Sequence, residues 1–369
     1  MKMKKLVINT FIIYCLLSAI TLLSLPGCSG DKPNGGSTVK NSTPPPPKPL
    51  VLVDAPKINA DSAYAFVKKQ VEFGPRVPNT DAHVQCGNYF LDKLKSYGWE
   101  VKAQGFDAIR YDGVVLKSRN IIASYKAPAA AAAKRTVLLA AHWDTRHVAD
   151  KDTKDTDKPI DGANDGASGV GVLLEIARTI HTSPKKPTVN IDIVLFDSED
   201  LGYPESAKDE HKKADTWCLG SQYWAKNNPG SYYYGILLDM VGAKGAKMYK
   251  EGFSVRTAGE TVNEVWAIAA KLGYGNVFIP KNAPEIVDDH TYVNKHTNIP
   301  MIDIIEFDPT NETAYFAKYH HTHADNMSII DKNTLEAVGQ TVLQYVYNTA
   351  ASSDAEKAAT SSSSSGLAK

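Results

Sequence analysis

Three near-continuous apolar runs, each ending directly on acids or a histidine, constrain the fold of this chain most strongly. TVLLAA (136–141) runs into His142-Trp143-Asp144, VNIDIVLF (189–196) into Asp197-Ser198-Glu199-Asp200, and YYYGILL (232–238) into Asp239. A fourth run, PMIDIIEF at 300–307, has the same character. Short segments that are apolar at nearly every position suit strands buried on both faces. Helical spacings separate them. Asp61 caps a helix carrying Ala63, Phe66, Val67 and Val71 and stopped by Gly74-Pro75, and Thr80 or Asp81 opens one closed by Gly98. Asp165 opens another with Val170, Leu173, Leu174 and Ala177 on one face. Further helices are expected at 257–272 and at 331–347, the latter capped by Asp331, and strands at 99–106 and 120–125, with the Ala-rich 127–135 as a surface connection. Strands alternating with helices predict an α/β fold with a largely parallel, doubly wound sheet. Ligands of such sheets bind where the strands end at their carboxyl edge.

That edge collects the chemistry. Asn164-Asp165 lies in DGANDGASG (161–169), Asp288, Asp289 and His290 in VDDH, and His320, His321, His323 and Asp325 in YHHTHADN. One acid after a strand is ordinarily a turn or helix-cap residue. Five such places on one sheet edge are different, because carboxylates packed together repel and need a cation. Histidines among hard carboxylates point to zinc rather than calcium or magnesium.

Composition removes other classes. The 369 residues hold 41 basic and 41 acidic side chains, so no basic footprint argues for nucleic acid. Lys2, Lys4 and Lys5 precede an apolar stretch at 6–25 that ends in LPGC, the layout of an export signal. A single transmembrane anchor is the alternative. LSLPGCSG (23–30) resembles the lipobox of bacterial lipoproteins, which implies cleavage before Cys28 and lipid on its thiol. Loss of residues 1–27 leaves 38 basic against 41 acidic residues, a mildly acidic chain. The expected organisation is a lipoprotein signal at 1–27, the lipidated cysteine and a Pro/Gly/Ser-rich tether at 28–53, one catalytic domain at 54–350, and a disordered Ser-rich tail at 351–369. The expected location is the bacterial periplasm or cell envelope; Ser29 after the cysteine resembles outer-membrane sorting.

The order HWD, GANDGASG, DSED, LLDMVGA, VDDH and HHTHADN resembles the zinc aminopeptidase-like fold shared by co-catalytic zinc aminopeptidases and zinc-dependent glutaminyl cyclases. The resemblance implies a three-layer α/β/α architecture with a central mixed, mostly parallel sheet. It also implies Asp165, Asp200 and His321 as metal ligands, Glu199 as acid/base, and Asp239 with Asp288 as a hydrogen-bonding pair beside the metal. His142 and Asp144 match an HxD element that supplies a ligand in the aminopeptidases, where His142 and Asp239 would hold a second zinc. This chain has Asp at 200 where many relatives have Glu, and His320 where animal cyclases carry Trp.

Two reactions fit that set. An aminopeptidase uses two metals about 3.5–4 Å apart to generate hydroxide. A cyclase uses one zinc with an open fourth position and closes the N-terminal glutamine of a peptide into pyroglutamate, releasing ammonia. The paired acids of VDDH and the insertion at 201–225 resemble the cyclases, so a one-zinc cyclase acting on Gln-initiated peptides is the main expectation. Two close carboxylates such as Asp239 and Asp288 favour one shared proton, which disfavours a second metal. A lipoprotein that keeps the fold for binding alone would show gaps in the metal set, and none is present.

Trp217, Trp143 and Tyr203 are candidates for the substrate pocket, with core packing as the competing role. DKDTKDTDKP (150–159) lacks the Gly and terminal Glu of a calcium loop and reads as solvated. Cys86 and Cys218 are expected to be inert thiols, their pairing open. His83, His147, His181, His211 and His296 are expected at the surface, and His323 and Asp325 behind the ligands.

Overall fold

The computed structural model describes residues 50–128, 135–212, 214–227, 230–311 and 315–365, with side chains to residue 350. The signal, Cys28 and most of the tether lie outside the described residues. Among the described residues no helix is long and apolar enough to cross a membrane.

Six strands form the central sheet: β1 (Glu100–Ile109), β2 (Val115–Tyr125), β3 (Thr136–His142), β4 (Asn190–Phe196), β5 (Gly235–Asp239) and β8 (Met301–Ile305), in the order β1-β2-β4-β3-β5-β8. β4, β3, β5 and β8 run parallel, while β2 pairs antiparallel with β4 and β1 with β2. The sheet is therefore mixed and mostly parallel, as the sequence implied. Its parallel half carries the continuous apolar runs.

Both faces are covered. Val137, Leu139, Ala141, Ile191, Ile193, Leu195, Ile236, Leu238, Ile302 and Ile304 belong to one core. They pack with residues of α1 (Ala60–Val71), α2 (Asp81–Ser96), α3 (Ala167–Thr182), α5 (Gly252–Leu272) and α7 (Lys332–Ser365). The alternate residues Leu138, Ala140, Val194, Phe196, Leu237 and Met301 form a second core with Trp224 of α4 (Leu219–Asn227) and Val293 of α6 (Asp289–His296). Side chains alternate across a strand, so a strand covered on both sides is apolar at nearly every position. Each such burial is worth roughly 1.5–3 kcal/mol.

Local details differ from the sequence pattern. Asn59 rather than Asp61 caps α1, accepting from the Ser62 amide. Asp165 does not cap α3; that helix starts at Ala167 after Gly166, whose φ of 89° suits glycine. A Cβ at Gly166 would also stand 2.8 Å from the Asp144 carbonyl. The short α4 and α6 and the two-stranded β6 (Met248–Lys250) and β7 (Phe278–Asn282) carry too little periodicity to be read in advance. Leu50, Leu52 and Val53, assigned to the tether, pack against the first core. α7 continues into the stretch expected to be disordered, since its sequence holds no proline and no glycine between Gly339 and Gly366.

Gly169 of α3 lies against β5, where an added Cβ would meet the Leu238 carbonyl oxygen at 2.1 Å. Gly169→Ala should lower the unfolding free energy by roughly 1–3 kcal/mol in urea denaturation. Gly259→Ala in α5, where nothing lies within 4 Å, should raise it by up to about 1 kcal/mol. Equal effects would contradict this packing.

Candidate active site

The register of the parallel strands brings the polar residues together. His142 ends β3 opposite Phe196 of β4, and Asp239 ends β5 opposite Ile305 of β8. The turns beyond then deliver Glu199 and Asp200 after β4, Asp165 before α3, Asp288 as the N-cap of α6, and His321 from the loop before α7. A cavity of about 370 Å³ opens here, lined among others by Asp165, Glu199, Asp200, Asp239, Asp288 and His321.

His321 Nε2 lies 3.2 Å from Asp200 Oδ1 and 3.7 Å from Asp165 Oδ2. His142 Nε2 lies 3.0 Å from Asp165 Oδ1 and 3.1 Å from Asp239 Oδ1, so Asp165 stands between two groups of donors. Asp200 Oδ2 is buried without a protein hydrogen-bond partner. These are the atoms a cation would take. Burial and the Arg146 and Lys151 charges hold His321 well below its ordinary value, leaving the neutral imidazole that ligates metal.

The acids lack enough positive charge of their own. Burial raises the Asp165 carboxyl, with Asp200 adding to it, and pushes Asp200 up to about 7 against the pull of Arg146 and His142. Burial followed by the Asp239 charge brings Asp288 to about 6. Burial lifts Glu199 well above the carboxylate range; His142 opposes this, and Asp288 and Asp200 reinforce it. Burial opposes charge on His142, yet Asp239, Asp144 and Asp165 together raise it well above its ordinary value.

Acceptors from behind hold the turns in place. Asp144 accepts the amides of Glu199 at 3.0 Å and Asp200 at 3.1 Å. Asp325 accepts those of Asn164 at 2.7 Å and Asp165 at 3.0 Å, so it stands behind Asp165 as expected. The expected role of Asp144 beside the metal becomes one of shaping the Glu199-Asp200 turn.

Arg146 was not anticipated. It is fully buried, forks onto Asp150 at 2.7 and 2.9 Å, and donates to the Asp200 carbonyl at 3.1 Å. Its guanidinium also lies 4.6 Å from the Trp217 ring centre. Nothing local in the sequence separates it from a surface arginine, because Asp200 and Trp217 are distant in the chain. Asp150 is accordingly not solvated.

Trp217 and Tyr203 line the cavity, and Trp217 stacks on His321 with ring centres 6.0 Å apart and planes within 5°. Trp143 does not line it; it is fully buried, stacked on His83 at 4.3 Å with Phe90 at its edge. His83 is likewise buried, not at the surface, and pairs with Asp197 at 2.8 Å. Asp289 lies buried at the start of α6, outside the cavity lining. His323 is partly exposed, its amide donating to Asp152 at 2.8 Å. His320 lines the cavity, with Lys151 Nζ 2.9 Å from its Nδ1. Cys86 and Cys218 are both free and buried.

The family model described as Peptidase family M28 matches residues 120–346. The chain is similar to a solved Zn-dependent exopeptidase from Parabacteroides distasonis, with 50% identity and a TM-score of 0.76 over 80% of this chain and 100% of that one. It is similar to the solved Bacteroides thetaiotaomicron glutaminyl cyclase bound to N-acetylhistamine, with 49% identity and a TM-score of 0.75 over 80% of this chain and 99% of that one. An aminopeptidase of Bacillus subtilis is 26% identical over 197 residues, half of this chain; the match spans 37% of that relative's length.

Burial raises the Asp150 carboxyl, but the Arg146 fork outweighs it and holds the group at about 2. A carboxyl depressed in the folded state contributes stability above its unfolded pKa and loses it as pH falls through the folded value. Asp150→Asn should therefore destabilise the protein at pH 7, with the gap closing between about pH 4 and about pH 2. Chemical denaturation at a series of pH values checks this, and a pH-independent gap would contradict it.

Proposed function

The chain belongs to peptidase family M28, and we propose that within it this protein is a glutaminyl-peptide cyclotransferase. It converts the N-terminal glutamine of peptides or proteins to pyroglutamate and releases ammonia. The observation that carries the reading is a cavity where Glu199 stands beside Asp165, Asp200 and His321, in a chain that covers 99% of a solved glutaminyl cyclase at 49% identity.

Asp165, Asp200 and His321 fit one zinc: two hard carboxylates, a neutral imidazole and an orphaned buried Asp200 oxygen. When bound, zinc supplies a Lewis acid for the γ-carbonyl of the substrate glutamine. Glu199 takes a proton from the peptide's α-amine as that nitrogen bonds to the γ-carbon. The bond to the amide nitrogen then breaks, and Glu199 returns the proton so that ammonia departs. Burial and the neighbouring Asp239 charge raise the Asp288 carboxyl, and that pair would hold a proton for the departing nitrogen. Trp217, stacked on His321, and Tyr203 wall the cavity against water. No water nucleophile is needed, so orientation of the substrate's own amine supplies much of the rate.

A second reading has one observation in its favour. His142, Asp165 and Asp239 bring three donor atoms within 4.8 Å of one another, a trio that could take a second zinc as in a dinuclear aminopeptidase. The first 27 residues and Cys28 support placement as a lipoprotein of the bacterial cell envelope, anchored in the outer membrane through the 28–53 tether.

The purified protein incubated with a Gln-initiated peptide should give ammonia and a product lighter by the mass of ammonia, whereas release of free glutamine would establish the aminopeptidase. Metal analysis should find about one zinc per chain, and a firm value near two would support the dinuclear centre. Glu199→Gln should cut turnover at least about 100-fold with zinc content unchanged. In a producing cell Cys28→Ser should move the protein out of the membrane fraction; retention there would point to an uncleaved transmembrane anchor.

A further inference from the structure

The thiol of Cys218 touches the Glu199 carboxylate: Sγ donates to Oε1 at 3.1 Å. Among the described residues no other hydrogen bond reaches that carboxylate, and the nearest further cation, His142 Nδ1, is 4.0 Å from Oε2. The contact is not an accident of a mobile side chain. Cys218 is fully buried, its amide donates to the Glu199 carbonyl at 2.9 Å, and the next amide, of Leu219, donates to the Ser198 carbonyl at 3.0 Å. Two backbone bonds thus splice Cys218 and Leu219, within the 201–225 insertion, onto the turn that carries Glu199.

The backbone is bent to make this contact. Ser198 and Cys218 both adopt the left-handed region, with φ of 58° and 55°, which costs a non-glycine residue energy that surrounding structure must sustain. Directly behind, Gly220 lies so close to the turn after β4 that an added Cβ would meet the Asp197 carbonyl at 2.2 Å. Residues 218–220 are thus pressed against the Asp197–Asp200 turn.

We propose that Cys218 is a positioning residue for Glu199: its S–H occupies Oε1 and leaves Oε2 as the oxygen that exchanges protons with the substrate's amine and the departing nitrogen. The proposal rests on the acid/base role of Glu199 set out above. A glutamate rotates freely about its side-chain bonds, and proton transfer requires hydrogen-bond reach of about 2.6–3.2 Å. A thiol is a weak donor, but here it is the one that selects the carboxylate orientation. Burial, followed by the Glu199 charge, raises the Cys218 thiol well above its ordinary value, so it keeps its proton.

Three variants of the full-length protein test the proposal. Cys218→Ala removes the donor and should lower kcat about tenfold with KM within about twofold. Cys218→Ser restores a donor and should recover most of the loss. The infrared S–H stretching band that disappears in Cys218→Ser should shift in Glu199→Gln, where an amide replaces the carboxyl group that the thiol meets. An unmoved band, or Cys218→Ala with wild-type kcat, overturns the positioning role. Should Cys218→Ala fail to fold, the Ser variant and the band shift decide the matter. A wild type that forms no pyroglutamate instead overturns the reaction assigned above, and the band still reports the contact.

Discussion

Like charge buried at the carboxyl edge of the sheet is the constraint on which the rest of the structure depends. Asp165, Asp200, Asp239 and Asp288 are all nearly inaccessible, and Glu199 is only slightly exposed. Such a group stays folded only if donors meet the oxygens and a cation meets the net charge. Asp144 and Asp325, their own oxygens met by backbone amides, grip the turns that carry Glu199, Asp200 and Asp165 from behind. Arg146 supplies a permanent buried positive charge beside Asp200. What these leave over is the requirement for a metal.

The turns that carry the acids are strained, and the core bears the cost. Ser198 before Glu199, Met240 after Asp239, and His321 itself have φ of 58°, 45° and 61°. Each conformation of this kind costs roughly 1–3 kcal/mol. Strands apolar on both faces, with helices packed on each, provide a scaffold stiff enough to hold them. Left-handed backbone recurs at or next to residues that line the cavity. The same logic places Cys218, also left-handed, against Glu199.

Aromatic residues show how position in the fold outweighs residue type. Trp143 follows His142 directly, yet strand alternation turns it away from the cavity onto His83 and Phe90. Trp217 lies in an irregular insertion and reaches His321, Tyr203 and Arg146 at once. Proximity in sequence to a functional residue was the weaker guide. His83 departs from the surface expectation for a related reason: it faces away from solvent and meets a buried aspartate just after β4.

The sequence by itself determined the parallel strands, the edge on which polar residues gather, and the residue types that meet in the cavity. Period-two burial on both faces and clustered acids leave few other solutions. It also carried the motif order that identifies the family. Only the tertiary structure decided which acids face the cavity, that Arg146 rather than solvent balances Asp150 and Asp200, and that the Cys218 thiol meets Glu199. Those pairings join residues far apart in the chain through left-handed turns, and their geometry is set by the packing of the whole sheet rather than by local propensity.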